Sequence, residues 1–440
     1  MLLVCSFSKI TAQNEWSLND CISYAITHNL NLKSLEYSNQ SAKENYIQSF
    51  RDLLPSLSAN SNYNILYGKS IDPNTNEIIS SDFYSNSYYI NSGIDVFRGF
   101  QKINAIKANF FLYKATKNEN LQKKYLLAFK VMTAFYDIKY YEGQLKIVLE
   151  QQEISILNLK LIQKQFDLGM KAKADVYEAE SVLSNDDLLY IQFKNKLETG
   201  KLKLVQLMNL TDTKNFKIIA ANNFTSEVTN HQTTDSVYKK ASLFIPIIKA
   251  QEFRVNAAKK DISIAKSKLY PSLFLSAGYN TGFYETNINE LGDVIPFSTQ
   301  LKDNVSQYIG LSFRIPISDG WRKRSYIKQK KIALLQAKNN LTIQKQELFN
   351  TIQELNQIYL ASITEFKQTK QHLKTQTLAF EIAKKKHNKG MISILEFYQA
   401  KNLFANAKSN HLHIELQLRV QKKTLEFYTG LPTFNIPNIN

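Results

Sequence analysis

Two periodicities alternate along this 440-residue chain. Leu334, Leu341, Leu348 and Leu355 recur at every seventh residue, as do Ile352, Tyr359 and Phe366, and earlier Ile147, Ile154, Leu161 and Leu168. Sevenfold apolar spacing with polar residues between marks helices packed side by side as coiled coil. No proline falls between Pro73 and Pro246 or between Pro316 and Pro432, and these stretches are rich in the helix formers Lys, Gln, Glu, Leu and Ala. Within 101–209 the glycines are Gly143, Gly169 and Gly200, and within 321–429 Gly390 stands alone. The pattern predicts long helices over about 101–165, 172–209, 321–386 and 393–429. The first would extend ~100 Å at ~1.5 Å per residue, too long for a compact globule.

Four segments follow a period of two instead. Leu57, Ala59, Tyr63 and Ile65 occupy odd positions in 56–67, with Ser and Asn between them. In 87–97 the apolar phase is even, with Tyr88, Ile90, Ile94 and Val96. Leu273, Leu275, Ala277, Tyr279 and Phe283 mark 272–283, and Ile309, Leu311, Phe313 and Ile315 mark 307–315. Each reads as a strand with one apolar and one polar face. Each also has about the ~9–11 residues that a tilted strand needs to cross a bilayer. Aromatics at the strand ends, Tyr63, Tyr67, Tyr84, Tyr88, Phe97 and Tyr279 among them, match the interfacial girdles of membrane barrels. A half-buried soluble sheet packed on helices has the same alternation, so periodicity leaves both open.

The chain is internally repeated. Leu53-Leu-Pro-Ser-Leu aligns with Leu269-Tyr-Pro-Ser-Leu, a shift of 216, whereas Gly169-Met170 aligns with Gly390-Met391, Gly99 with Gly320 and Leu210 with Leu431, a shift of 221. The extra residues fall in the strand-joining loop 285–305 as against 68–85, since loop tips tolerate insertion. The predicted organisation is a first repeat over 14–230, a second over 231–432 and a tail at 433–440, each repeat running helix, strand, loop, strand, long helix, tip, long helix.

Composition narrows the class. An apolar content of 44% excludes wholesale disorder, and no run of about 18 apolar residues offers a helical membrane span. Two cysteines cannot form a disulfide framework. Cys21 lies in a helical pattern and reads as a small buried hydrophobe, and Val4 is a poor neighbour for a lipid-anchored Cys5. Residues 1–13, apolar at first and ending in Thr11-Ala12-Gln13, read as the end of a truncated signal peptide; the alternative is a frayed N-terminus. The net charge of +17 admits a nucleic-acid partner, but the 38 acidic residues are scattered among the 55 basic ones, as on solvated helix faces.

In this order the motifs resemble those of the TolC-like outer membrane efflux proteins. The likeness runs from Trp16-Ser-Leu-Asn-Asp-Cys-Ile through the Leu-Pro-Ser-Leu lead-in to each first strand. It continues through the tip glycines, each followed by Val/Phe-Tyr-x-Ala, to Tyr428-Thr-Gly-Leu431. The resemblance implies an α+β membrane protein in the outer membrane of a gram-negative bacterium, extending into the periplasm. It implies a homotrimer in which four strands per chain build a shared twelve-stranded barrel in outer-membrane lipid, and the helices a hollow coiled-coil tube. The implied role is passive, an exit duct for a tripartite efflux or type I secretion system, with a periplasmic adaptor (membrane fusion) protein and an inner-membrane transporter as partners. Backbone groups in lipid must all be paired and single-chain barrels start at about eight strands, so four strands require several copies; that reasoning permits eight or twelve. Loops 68–85 and 285–305 are then expected outside the cell.

In the family the tip turns form the periplasmic entrance, so the resemblance places Gly169 and Gly390 at the tips. It makes Asp175 and Glu396, each six residues after its glycine, a ring of negative charge at the pore constriction, joined by Glu178. The alternative is that both acids simply favour helix N-termini. Gln399 replaces the second acid in the other repeat, and Ile392 stands where the best-known member carries a basic residue, so the resemblance does not carry over the salt-bridge lock of that member.

Catalytic and cofactor motifs are missing. There is no His-Glu-x-x-His, Gly-x-Ser-x-Gly or Gly-x-Gly-x-x-Gly, and Gly68-Lys69-Ser70 lacks the glycine of a phosphate loop at Tyr63. His411 and His413 would sit about 200° apart on a helix and read as surface residues rather than metal ligands. No enzyme, metal, cofactor or nucleic acid is therefore expected. The competing reading is a soluble basic coiled-coil scaffold or nucleic-acid-binding protein.

Overall fold

The computed structural model describes residues 15–72, 76–80, 82–211, 216–219 and 233–434. The expected signal segment 1–13, Cys5, His231 and the tail beyond 434 lie outside the described residues. In chain order the elements are β1 (Glu15–Trp16), α1 (Leu18–His28), α2 (Leu30–Arg51), β2 (Ser56–Leu66), β3 (Lys69–Ile71), β4 (Ile78–Ser80), β5 (Phe83–Arg98), α3 (Gln101–Asp167) and α4 (Lys173–Met208). They continue as β6 (Lys217–Ile218), α5 (Thr234–Phe244), α6 (Pro246–Ser267), β7 (Ser272–Tyr284), α7 (Phe297–Asp303), β8 (Ser306–Arg314), α8 (Arg322–Asn388) and α9 (Ile394–Tyr428). No helix among the described residues is long and apolar enough to cross a membrane.

The chain forms two compact units, and each draws on both sequence repeats. One comprises Ser38–Lys117 and Ala250–Leu341. Its centre is a four-stranded antiparallel sheet in the order β2-β5-β7-β8. The register sorts side chains by chemistry. Leu57 opposes Ser92, Ala59 opposes Ile90 and Ile65 opposes Tyr84; Ile90 opposes Tyr279, Ile94 opposes Leu275, and Leu275 opposes Leu311. Directly opposed residues share a face, so one face is a nearly continuous apolar surface. The other carries Ser58, Asn60, Asn91, Gly93, Ser276, Gly278 and Gly310, with the rings of Tyr89, Phe274 and Tyr308 among them. A soluble sheet would cover the apolar face, yet Leu57 is 75% exposed, Ile309 83% and Leu311 65%. Among the described residues β2 and β8 each have a neighbour on one side only.

Strand β5 starts at Phe83, four residues before the expected 87, because Asn86 interrupts the apolar alternation without interrupting the pairing, Asn86 lying opposite Tyr63. A bulge between Asp95 and Phe97 shifts its register near the end. The loop after β7 is built on Gln300, almost fully buried, which accepts from Tyr284 N (3.0 Å) and donates to the carbonyls of Tyr284 (3.0 Å) and Ile295 (2.8 Å). Gln300→Ala strands these backbone groups, so we expect a loss of about 1–3 kcal/mol, read as faster proteolytic nicking within 285–305. Beside the sheet, Tyr46 packs on Phe50, Phe110 and Tyr113 at ring separations of 5.2, 5.5 and 6.3 Å.

The second unit comprises the chain up to Tyr37, Asn118–Lys249 and the chain from Thr342. Ser17 starts α1 with a reciprocal cap, its Oγ accepting from Asp20 N (3.2 Å) while Asp20 Oδ2 accepts from Ser17 N (3.1 Å). This helix buries Cys21, Ile22, Ala25 and Ile26 and packs on the C-terminal end of α4. Burial pushes the Cys21 thiol up to about 12, so it is an inert core residue. His411 differs from its expected place on the surface. It is half-buried, stacked on Phe366 at 5.1 Å and 3.2 Å from Thr369 Oγ1, because its face of α9 is packed on α8. Burial holds its imidazole below the ordinary value. His413 is exposed, edge-on to Tyr140.

Candidate functional site

Both long hairpins of the helical unit turn on the same short device. Helix α3 ends in Gly169 (φ +72°), with Met170 N donating to Gln165 O and Gly169 N to Phe166 O, both at 2.8 Å. Helix α8 ends in Gly390 (φ +72°), with Met391 N on Lys386 O and Gly390 N on His387 O, both at 2.9 Å. This is the Schellman pattern, in which a left-handed residue closes the last carbonyls, and glycine takes that conformation without a Cβ penalty. It explains why a lone glycine ends each uninterrupted run of helix formers.

The next helix restarts on an acid. Glu396 Oε2 accepts from Ser393 N (2.8 Å) and Ser393 Oγ (3.1 Å), and Ser393 Oγ accepts from Glu396 N (3.2 Å). These hydrogen bonds from the Ser393 backbone and side chain hold the exposed Glu396 carboxyl below the usual range. A carboxylate depressed in the fold contributes above its unfolded value and loses that contribution as pH falls through its folded value, so this cap is complete at neutral pH and released in acid. Asp175 is the counterpart: its Oδ2 accepts from Ala172 N at 3.0 Å, and Lys171 Nζ lies 3.9 Å from Oδ1. Ala172 has no hydroxyl to return the bond, so this cap is one-sided. Both acids thus sit at the third position of a helix. Glu178 is half-buried one turn on.

Behind the turns the two hairpins meet. Ile162, Val176, Ala179, Phe380, Ile394, Phe397 and Tyr398 form one buried cluster from α3, α4, α8 and α9. A polar chain continues it away from the tips. His387 Nε2 lies 2.8 Å from Asn158 Oδ1, and Asn158 Nδ2 donates to Tyr398 Oη at 2.7 Å. Lys401, 0% exposed, is paired with Asp186 and donates to Ser155 Oγ at 2.6 Å, while Ser155 Oγ donates to Asp186 Oδ2 at 2.6 Å. Burial lowers the Lys401 ammonium, opposed by its bond to Asp186. Burial likewise pushes the Tyr398 phenol up to about 12, with the Glu178 and Asp186 charges adding to it. Burial and the Lys171 charge lower the His387 imidazole.

None of Lys401, Asp186, Ser155 and Asn158 was marked by a catalytic or ligand motif. A signal was present nonetheless: Ile394, Phe397, Lys401 and Phe404 follow the spacing of a coiled-coil seam, and a lysine in that seam demands a buried partner. Among the described residues no group of three or more His, Cys, Asp or Glu side chains is placed to hold a metal ion. The arrangement caps and locks helices; Ser155 Oγ, held between Lys401 and Asp186, is 0% exposed and faces no solvent.

Comparison with known proteins places this geometry. A family model described as outer membrane efflux protein matches residues 21–210 and 237–431. The chain is 24% identical over 317 residues to the outer membrane protein TolC of Vibrio cholerae serotype O1, a match covering 68% of each protein. It is 24% identical over 312 residues to TolC of Escherichia coli (strain K12), covering 68% of this chain and 62% of that one. Among solved structures, the Campylobacter jejuni CmeC outer membrane channel superposes with a TM-score of 0.80 at 16% identity, over 94% of this chain and 85% of the other.

Proposed function

Because this chain belongs to the outer membrane efflux protein family, we propose that it is the passive outer-membrane exit duct of a tripartite efflux or type I secretion system, open from periplasm to exterior. Its relatives are channels, and the chain is read here as non-enzymatic, with direction and energy supplied by an inner-membrane transporter through a periplasmic adaptor. The observation that carries the reading is the sheet, whose broad apolar face is exposed and whose two edge strands, among the described residues, each lack a partner on one side. In lipid such edges must be closed. Joining β8 of one copy to β2 of the next closes them, and three copies give the twelve-stranded barrel. An exposed apolar face of this extent argues against the soluble scaffold.

The two repeats, 14–230 and 231–432, then supply matching hairpins to the tube, with the Gly169 and Gly390 turns at its periplasmic entrance. Asp175 and Glu396 are proposed to line that entrance, with Glu178 nearby; capping and lining are compatible, since a carboxylate at a helix start has solvent on its outer side. The test is chemical cross-linking of the membrane-extracted protein together with conductance in planar bilayers. We expect a cross-linked trimer and discrete channel events. Recovery of a monomer in the soluble fraction, silent in bilayers, would sink the duct.

A further inference from the structure

The helix-side end of the sheet carries two residues that break local rules. Phe100 (φ +63°) and Trp321 (φ +66°) join β5 to α3 and the strand β8 to α8, each directly after a glycine also at positive φ. Their carbonyls accept from Asn104 N (3.1 Å) and Ser325 N (2.9 Å), so both are helix N-caps. That position favours Ser, Thr, Asp or Asn, and a bulky residue in the left-handed region is a strained choice. Neither ring is buried, Phe100 being 61% exposed and edge-on to Phe97 at 5.3 Å, and Trp321 70% exposed. A sequence that breaks the capping and backbone preferences twice, at matching places, points to a use outside the fold.

The surroundings give the chemistry of that use. The apolar side of β8 runs from Phe313 past the strand end through Ile315 and Ile317, the last 95% exposed, to Trp321. Exposed Arg322 and Arg324 follow at once, the Arg324 guanidinium 4.5 Å from the indole centroid. Exposed Arg51, Arg98, Lys266 and Lys268 stand at the same ends of the neighbouring strands, against Asp52, Asp95 and Asp319, with Asp95 pairing with Arg98 and Lys102 and Glu44 with Arg51. At the opposite end of the sheet the loops carry Glu77, Asp82, Glu285, Glu290 and Asp293 against Lys69 and Lys302. Along the chain the order is aliphatic, aromatic, cationic, which is the order of acyl tail, interface and anionic headgroup in a bilayer.

We propose that this rim is a binding belt for anionic phospholipid headgroups of the periplasmic leaflet, with Trp321 and Phe100 seated at the interface and Arg322 and Arg324 on the phosphates. The belt rests on the outer-membrane duct reading. The rim, rather than the acidic loops, fixes the depth of the barrel.

The chain has two tryptophans, Trp16 and Trp321, so Trp16→Phe isolates the reporter. The full-length protein is reconstituted in phosphatidylcholine vesicles containing equal fractions of brominated phosphatidylglycerol or brominated phosphatidylethanolamine. We expect Trp321 fluorescence to be quenched by both and several-fold more strongly by phosphatidylglycerol. Arg322→Gln with Arg324→Gln should abolish the preference and keep the quenching. Trp321→Gly should leave the Tm in detergent unchanged or higher, since it relieves the backbone. Equal quenching by the two lipids overturns the belt, as does absence of quenching in protein that conducts, which would put a neighbouring subunit over Trp321. A lower Tm for Trp321→Gly makes the ring a packing residue and overturns it too. Protein that neither inserts nor conducts takes down the duct reading itself.

Discussion

Lys401→Met is expected to destabilise the helical unit by about 3–5 kcal/mol, because it leaves the Asp186 carboxylate buried without its counter-charge. The loss comes from the uncompensated carboxylate rather than from lost volume, since Ser155 alone cannot replace an ammonium. Adding Asp186→Leu should restore most of it, as replacing a whole buried ion pair with apolar groups is often neutral or stabilising by about 1–4 kcal/mol. Thermal melting of the detergent-solubilised protein reads both. A Lys401→Met variant that melts with the native protein would mean that the pair is hydrated. The buried cluster would then not be what ties α9 to α3 and α4.

Removing the charges of Asp175 and Glu396 is expected to change what the channel passes. Carboxylates at a narrow entrance attract cations, repel one another and are only partly screened. Two double variants separate charge from capping. Asp175→Asn with Glu396→Gln keeps oxygens that accept from Ala172 N and Ser393 N; Asp175→Ala with Glu396→Ala removes them as well and should cost each helix start about 0.5–2 kcal/mol. If the acids line the entrance, both variants lose cation preference and divalent block in planar bilayers to the same degree. If they only cap, the Asn/Gln pair is silent. Replacing the partly exposed Glu150, paired with Lys408, together with Glu347 should change neither property, such charges being worth at most ~1 kcal/mol.

The long helices and the strands were legible because each rests on many residues repeating one period. The heptad at Leu334–Leu355 and the alternation at Ile309–Ile315 state which face is buried without reference to anything distant. What the alternation could not decide was whether the apolar face met a protein core or something else; that depended on what covers Leu57 and Leu311, which no local window contains. The tip acids were visible as residues six places after each glycine, but their hydrogen bonds to Ala172 N and Ser393 N depended on the turn geometry. The Lys401 cluster was least legible. Its partners Ser155 and Asp186 come from two other helices, and only a lysine out of place in an apolar seam betrayed it. Phe100 and Trp321 were hidden for the converse reason: their oddity is a dihedral angle, which the sequence does not print.

The edges of the sheet have a consequence for cells that make more than one version of this chain. In the proposed ring each protomer offers two different joining ends, β2 and β8, and assembly is a head-to-tail polymerisation that succeeds only when the ring shuts. A chain spoiled at β8 still has a sound β2. It is accepted by a normal neighbour and then admits no further unit, as a chain stopper does in a polymer. In a ring of three built from equal amounts of both versions, only about one assembly in eight would be free of the defective copy. Damage confined to one edge strand is therefore expected to be dominant over the intact gene, whereas damage that abolishes folding altogether, leaving no edge to offer, is expected to be recessive.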